Sequence, residues 1–147
     1  MLVPATPQDL DWLIGLRLIT MAEHFERAGE HLTTEDQRAR VLRDFDAIRI
    51  VMVGSERVGM LKVTRLPDLW HLVQIQILPV HQRKGLGGRL IQALLQDASQ
   101  AGVPVVLRVL KVNPAKRLYD RLGFRVTAEY GNSYEMRFEP ARAATDQ

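Results

Sequence analysis

The chain moves between two hydrophobic cadences, one near 3.6 residues and one of 2. Met1–Val3 is apolar and reads as a short edge strand. Apolar residues at 10, 13, 14, 16, 18, 19 and 21 then follow helical spacing and predict a largely buried helix to about Glu26. Thr6, Pro7 and Asp9 mark its start: a hydroxyl N-cap, a proline at the first helical position, an acid in the first turn. Gly29 closes that region, and Thr33-Thr34-Glu35-Asp36 opens a second helix with Val41, Leu42 and Phe45 on one face. The period then changes. Ile48–Val53 is a β-branched strand, Gly54–Arg57 a hairpin turn and Val58–Leu66 the partner strand. After a turn at Pro67-Asp68, Leu69–Leu78 is a long strand with His71, Val73, Ile75 and Ile77 at its odd positions. A third helix runs from about Gly87 to Ala101, apolar at 90, 91, 94, 95 and 98, and Gly102 ends it. Val103–Val109 suits a central strand buried on both faces. Asn113 and Pro114 open a fourth helix that Gly123 closes, and Phe124–Tyr130 with Tyr134–Phe138 form a last hairpin around Gly131-Asn132-Ser133.

The resulting order is βααβββαβαββ, a mixed α/β sheet protein with helices on both faces. The unit from 69 to 109 is expected to be a right-handed parallel crossover. A chain of 147 residues is expected to make one domain, over 1–139, with a flexible polar tail at 140–147. A chain of this size buries about 68–70% of its unfolded surface, enough for a real core. No internal repeat, linker or low-complexity segment interrupts it.

Composition narrows the chemistry. The chain has no cysteine, so a thiolate nucleophile, a disulfide and a cysteine-based zinc site are all excluded. Its four histidines show no metal-binding spacing, and no metal is expected. A formal net charge of +3 is too mild to call for nucleic acid. The lack of any apolar run of membrane-spanning length, and of a signal peptide, makes the cytoplasm the default and a membrane partner unexpected.

One stretch carries more information than the rest. An apolar strand ends at Leu78, Pro79 stops it, and Gln82-Arg83-Lys84-Gly85-Leu86-Gly87-Gly88 leads into a helix. Glycines admit close backbone approach, and a helix start directs free N–H groups and partial positive charge outward. Such a loop suits an anion, most naturally a pyrophosphate. It is neither a Walker A loop, lacking a Lys-Ser or Lys-Thr pair, nor a dinucleotide fingerprint, whose glycine spacing differs.

The pattern Gln82-x-x-Gly85-x-Gly87 resembles motif A of the GNAT family of N-acetyltransferases. Asn113–Phe124, with Tyr119 and the exit Leu122-Gly123-Phe124, is similar to the late helix of the same family. The likeness covers nearly the whole chain in element order and is specific from about Leu69 to Phe124. It implies a single-domain acyl-coenzyme A N-acyltransferase fold whose mostly antiparallel sheet contains one splayed parallel pair. It also implies acetyl-coenzyme A as co-substrate. Amides from Arg83 through Lys84, Gly85, Leu86 and Gly87 to Gly88 would hold the pyrophosphate, helped by the side chains of Arg83, Lys84 and Arg89. Ile77 and Leu78 would offer main-chain groups to the acetyl and pantetheine amides. Gln82 is expected to tie the loop rather than to touch the ligand. Tyr119 would be the general acid that protonates the departing thiolate.

Three assignments stay open. Asn113 stands six residues before Tyr119, where the family places its asparagine seven before, so Asn113 either contacts the cofactor or caps its helix. His71 occupies a position where some members carry a glutamate base; it is either that base or a packed strand histidine, with water relayed through Gln74 or Gln76 as a third route. The group Glu23, His24, Glu26, Glu30 and His31 either receives a cationic amine or is a solvated helix end, and Tyr130 and Tyr134 either wall the site or pair across the hairpin. The expected acceptor is a small-molecule amine or a peptide N-terminus, and a homodimer is compatible. The rival reading is a non-catalytic acyl-coenzyme A sensor acting through a partner.

Overall fold

The computed structural model of the chain describes residues 1–27, 29 and 31–140. Glu30, the side chain of His24 and the tail beyond Pro140 lie outside the described residues. The fold is mixed α/β in the expected order: β1 (Leu2–Pro4), α1 (Leu10–Arg27), α2 (Thr34–Leu42), β2 (Ile48–Val53), β3 (Glu56–Arg65), β4 (Trp70–Ile77), α3 (Leu86–Ala101), β5 (Val105–Leu110), α4 (Ala115–Arg121), β6 (Arg125–Tyr130) and β7 (Ser133–Phe138). The strands are mostly antiparallel, with β4 and β5 the one parallel pair among the described residues. Two compact units make up the chain: Met1–Thr64 with Val73–Lys84, and Arg65–Leu72 with the described residues from Gly85 onward. No helix among the described residues is long and apolar enough to cross a membrane.

In the first unit the strand order is β1-β2-β3-β4. A single 3-10 turn, Pro7–Asp9, precedes α1, and the Asp9 carboxylate accepts the Thr6 N–H at 2.8 Å. Thr33 caps α2 as its sequence suggests, its hydroxyl accepting the Asp36 N–H at 3.1 Å. Leu13, Ile14 and Leu16 of α1, Val41 of α2, Ile48 and Ile50 of β2 and Met60 of β3 close the core. Two apolar expectations fail here. Ile19 is 57% exposed while Arg17 is 3% exposed. Residue 17 shares the stripe of residue 13 one helical turn away, and residue 19 does not. Leu42 is likewise exposed, being a step around the helix from Val41, and Phe45 lies past the helix in a 3-10 turn that is partly buried against the core.

Gly59 explains how β3 approaches β4. A Cβ added there would stand 2.4 Å from the Gln76 carbonyl oxygen and 2.8 Å from Ile77 Cδ1. The hydrogen bond from the Leu78 N–H to the Val58 carbonyl, 2.8 Å, extends the contact. Along β4 the more buried positions are the even ones, Trp70, Leu72, Gln74 and Gln76, joined by Ile77. The odd, more apolar positions His71, Val73 and Ile75 are half-buried.

In the second unit the order is β4-β5-β7-β6. Parallel pairing joins Trp70–Leu72 of β4 to Val105–Leu107 of β5. Helix α3 buries Ile91, Leu94, Leu95 and Ala98, the stripe its spacing predicts. Strand β5 departs from expectation: Val105, Leu107 and Val109 are buried, but Arg108 between them is exposed, so the strand is fully buried on one face only. In the β6–β7 hairpin Tyr130 pairs with Ser133 and Glu129 with Tyr134. The two tyrosines therefore do not form a cross-strand pair, because the register sets them one step apart.

Candidate functional site

The strand-to-helix connection is built by local hydrogen bonds. Leu78 is committed at both ends of its peptide unit: its N–H goes to Val58, and its carbonyl accepts the His81 N–H at 2.8 Å. A 3-10 turn over Pro79–His81 follows, and the Gln82 side chain turns back, Nε2 donating to the Ile77 carbonyl at 2.8 Å. Gln82 thus ties the loop. Arg83 then adopts φ 65° and Gly85 φ 77°, both left-handed. Gly85 is the N-cap of α3, and its carbonyl accepts the Arg89 N–H at 3.0 Å. Helix geometry leaves the amides of Leu86, Gly87 and Gly88 without intrahelical acceptors, at the positive end of the helix dipole. Gln82 to Gly85 are exposed.

The glycines divide by reason. Gly85 needs its positive φ. Gly87 does not: a Cβ there would meet nothing within 4 Å, and its φ is ordinary. At Gly88 a Cβ would make only an ordinary 3.5 Å contact with Leu118 Cδ1. No protein neighbour requires glycine at 87, whereas a ligand brought against the backbone would.

Tyr119 lies in α4 and is 7% exposed. Its ring meets Phe124 edge-on, centroids 5.8 Å apart. Burial pushes the phenol up to about 12, so it stays protonated throughout the neutral range. Among the described residues its hydroxyl forms no side-chain hydrogen bond. Asn113 acts as a cap: its Oδ1 accepts the Ala115 N–H at 2.9 Å, at the start of α4. His71 is half-buried, and burial, then Arg108, lowers its pKa against an opposing pull from Glu135, which favours the neutral imidazole. Glu23, Glu26 and His31 are exposed. Tyr130 lies under the Arg108 guanidinium, 4.4 Å from ring centroid, and Tyr134 beside Lys111 and Lys116 at 5.2 and 5.4 Å.

The first unit also holds a buried polar seam that periodicity and motifs do not announce. Arg17 Nε donates to Gln37 Oε1 at 2.7 Å, joining α1 to α2. Lys62, 1% exposed, gives its ammonium to the carbonyls of Arg40, Val41 and Arg43 at the end of α2. Burial above all, together with Arg17 and Arg43, pulls the Lys62 pKa down to about 8 against the raising effect of Asp44. Gln74 Nε2 reaches the Arg40 carbonyl at 3.4 Å, and Gln76 Nε2 the Met21 sulfur at 3.9 Å. The available signal was a lone cation inside each of two apolar runs, Leu13–Ile19 and Val58–Val63. Among the described residues no group of acids or histidines could hold a metal ion.

Residues 14–124 match the Acetyltransferase (GNAT) family, and the chain belongs to that family. Solved structures repeat the fold. A PaiA N-acetyltransferase from Thermoplasma acidophilum, in complex with coenzyme A, is 16% identical with a TM-score of 0.74, over 95% of this chain and 98% of that one. An acetyltransferase from Thermus thermophilus is 24% identical with a TM-score of 0.74, over 95% of this chain and 96% of that one. The ribosomal-protein-S18-alanine N-acetyltransferase from Escherichia coli is 18% identical with a TM-score of 0.74, over 100% of this chain and 97% of that one. At these identities the likeness is one of fold.

Proposed function

We propose that the chain moves an acetyl group from acetyl-coenzyme A to a primary amine, a small molecule or a peptide N-terminus, by direct attack with both substrates bound. The observation that carries this reading is Gly87, a glycine at the mouth of a helix that no neighbouring atom demands. Acetyl-coenzyme A supplies the acetyl group as a thioester. The amides from Arg83 to Gly88 hold its diphosphate, with Arg83, Lys84 and Arg89 adding positive charge. Because both main-chain groups of Leu78 are engaged within the protein and the Ile77 carbonyl is taken by Gln82, the Ile77 N–H is the strand group assigned to the ligand. Successive strand residues direct their main-chain groups to opposite edges. A donor fixed on a developing oxyanion is worth about 3 kcal/mol in such reactions.

The amine nitrogen bonds to the acetyl carbon as the carbon–sulfur bond breaks. His71, neutral at pH 7, takes the proton the amine loses, and Tyr119 gives its own to the sulfur. Asn113 serves the start of α4 and needs no place in the reaction. Calorimetric titration with coenzyme A, paired with a thiol-release screen over amines and N-terminal peptides, tests the reading. Binding with turnover is expected. Binding without thiol release across the panel would instead favour an acyl-coenzyme A sensor, and no binding would refute both.

A further inference from the structure

Among the described residues the first unit keeps its buried polar side chains in one seam: Arg17, Gln37, Lys62, Gln74 and Gln76, two cations, three amides and no acid. Among the described residues no carboxylate forms an ion pair with Arg17. The charge that acts most on it is a like one, Arg40. A buried guanidinium without a counter-charge is strongly unfavourable unless something else supplies the negative charge. Lys62 cannot relieve it and is already committed to three carbonyls. Among the described residues three seam atoms also lack partners: Gln37 Nε2, a donor, and Gln74 Oε1 and Gln76 Oε1, both acceptors. Buried polar atoms are rarely left so, and three in one seam point to a missing partner with both signs of polarity.

We propose that this seam reads the acceptor, and that the acceptor is an amine carrying a carboxylate, of the α-amino-acid class, with the carboxylate on Arg17 and the ammonium on the free oxygens of Gln74 and Gln76. The proposal rests on the acetyl-transfer reading and names its substrate class. Arginine carries five N–H donors in a fork that matches a carboxylate, and the bond to Gln37 uses one of them. Gln76 directly precedes Ile77 in β4, so the seam is contiguous in sequence with the main chain assigned to the thioester. A simple cationic amine would meet Arg17 and Lys62 with no acid to offset them.

The test has two arms. Thiol release at saturating acetyl-coenzyme A compares lysine with cadaverine, tyrosine with tyramine and alanine with ethylamine. Thermal unfolding without coenzyme compares acetate and alanine with chloride at equal ionic strength. Both arms use wild type, Arg17→Met and Gln37→Glu, the last placing an internal carboxylate against Arg17. The expected result is at least a tenfold kcat/KM preference for the acids, carried by KM and lost in both variants. Carboxylates should raise the Tm of wild type alone, and Gln37→Glu should have the higher Tm in chloride. Equal use of acids and amines by wild type, or a preference that survives in both variants, would overturn the proposal. If nothing releases thiol, carboxylate stabilisation confined to wild type upholds the anion site and counts against acetyl transfer. If carboxylates stabilise no more than chloride does, the site itself is refuted.

Discussion

Tyr119 and His71 have opposite electrostatic problems with the same cause. Burial raises the phenol and lowers the imidazole, because each is held in its uncharged form. Those are the forms that can give and take a proton. Tyr119→Phe keeps the ring against Phe124, so Tm should move by less than about 1 kcal/mol equivalent while kcat falls at least tenfold and the KM for acetyl-coenzyme A holds. An unchanged kcat would leave Tyr119 as a core ring only. For His71, the kcat/KM profile should show a basic-form limb with its midpoint below 6.5, absent in His71→Gln. Gly87 separates packing from function. Gly87→Ala should raise helix stability by about 0.5–1 kcal/mol while weakening coenzyme A binding. A gain in Tm with unaltered affinity would reduce that glycine to chance.

At the scale of elements, what was legible in the sequence was what acts over a few residues. Thr33 caps α2, and the 91, 94, 95, 98 stripe of α3 is buried as its spacing requires. The same locality made Gln82 readable as a loop tie. Other commitments were not readable, since they depend on partners far along the chain. The Leu78 amide is engaged by Val58, twenty residues earlier, and no local pattern announces it. The Tyr130–Tyr134 pairing failed for a related reason: hairpin register is fixed by the turn, and Gly131-Asn132 is a two-residue connection. Gly59 is the clearest element-scale test. Gly59→Ala drives a methyl into the Gln76 carbonyl and should destabilise the protein by about 1–3 kcal/mol in urea unfolding. A Tm equal to wild type would show that β3 and β4 can separate freely.

For the molecule as a whole, the polar interior makes stability depend on pH in a direction that can be stated. Lys62 titrates at about 8 folded against an ordinary value of 10.5. Between those values the unfolded chain holds more protons, so the contribution of Lys62 to stability rises with pH across that window and is flat below it. Tyr119 acts in the other sense, between 10 and about 12, where the unfolded chain holds fewer protons and stability falls. Tm measured from pH 7 to 10 should therefore rise for wild type relative to Lys62→Met once pH passes 8. A constant offset between the two would mean that the lysine titrates normally.

Periodicity, caps and glycines were enough to lay out eleven helices and strands in order and to mark the glycine turn that leads into α3, because each acts through neighbouring backbone. Which polar groups would end up dry was another matter. Arg17 and Lys62 each sit in apolar runs that any reading would bury, but the chain alone does not say that the same interior holds both, nor that no acid among the described residues joins them there. Dehydration is a property of what packs around a side chain, and those neighbours arrive from α1, α2, β3 and β4 together.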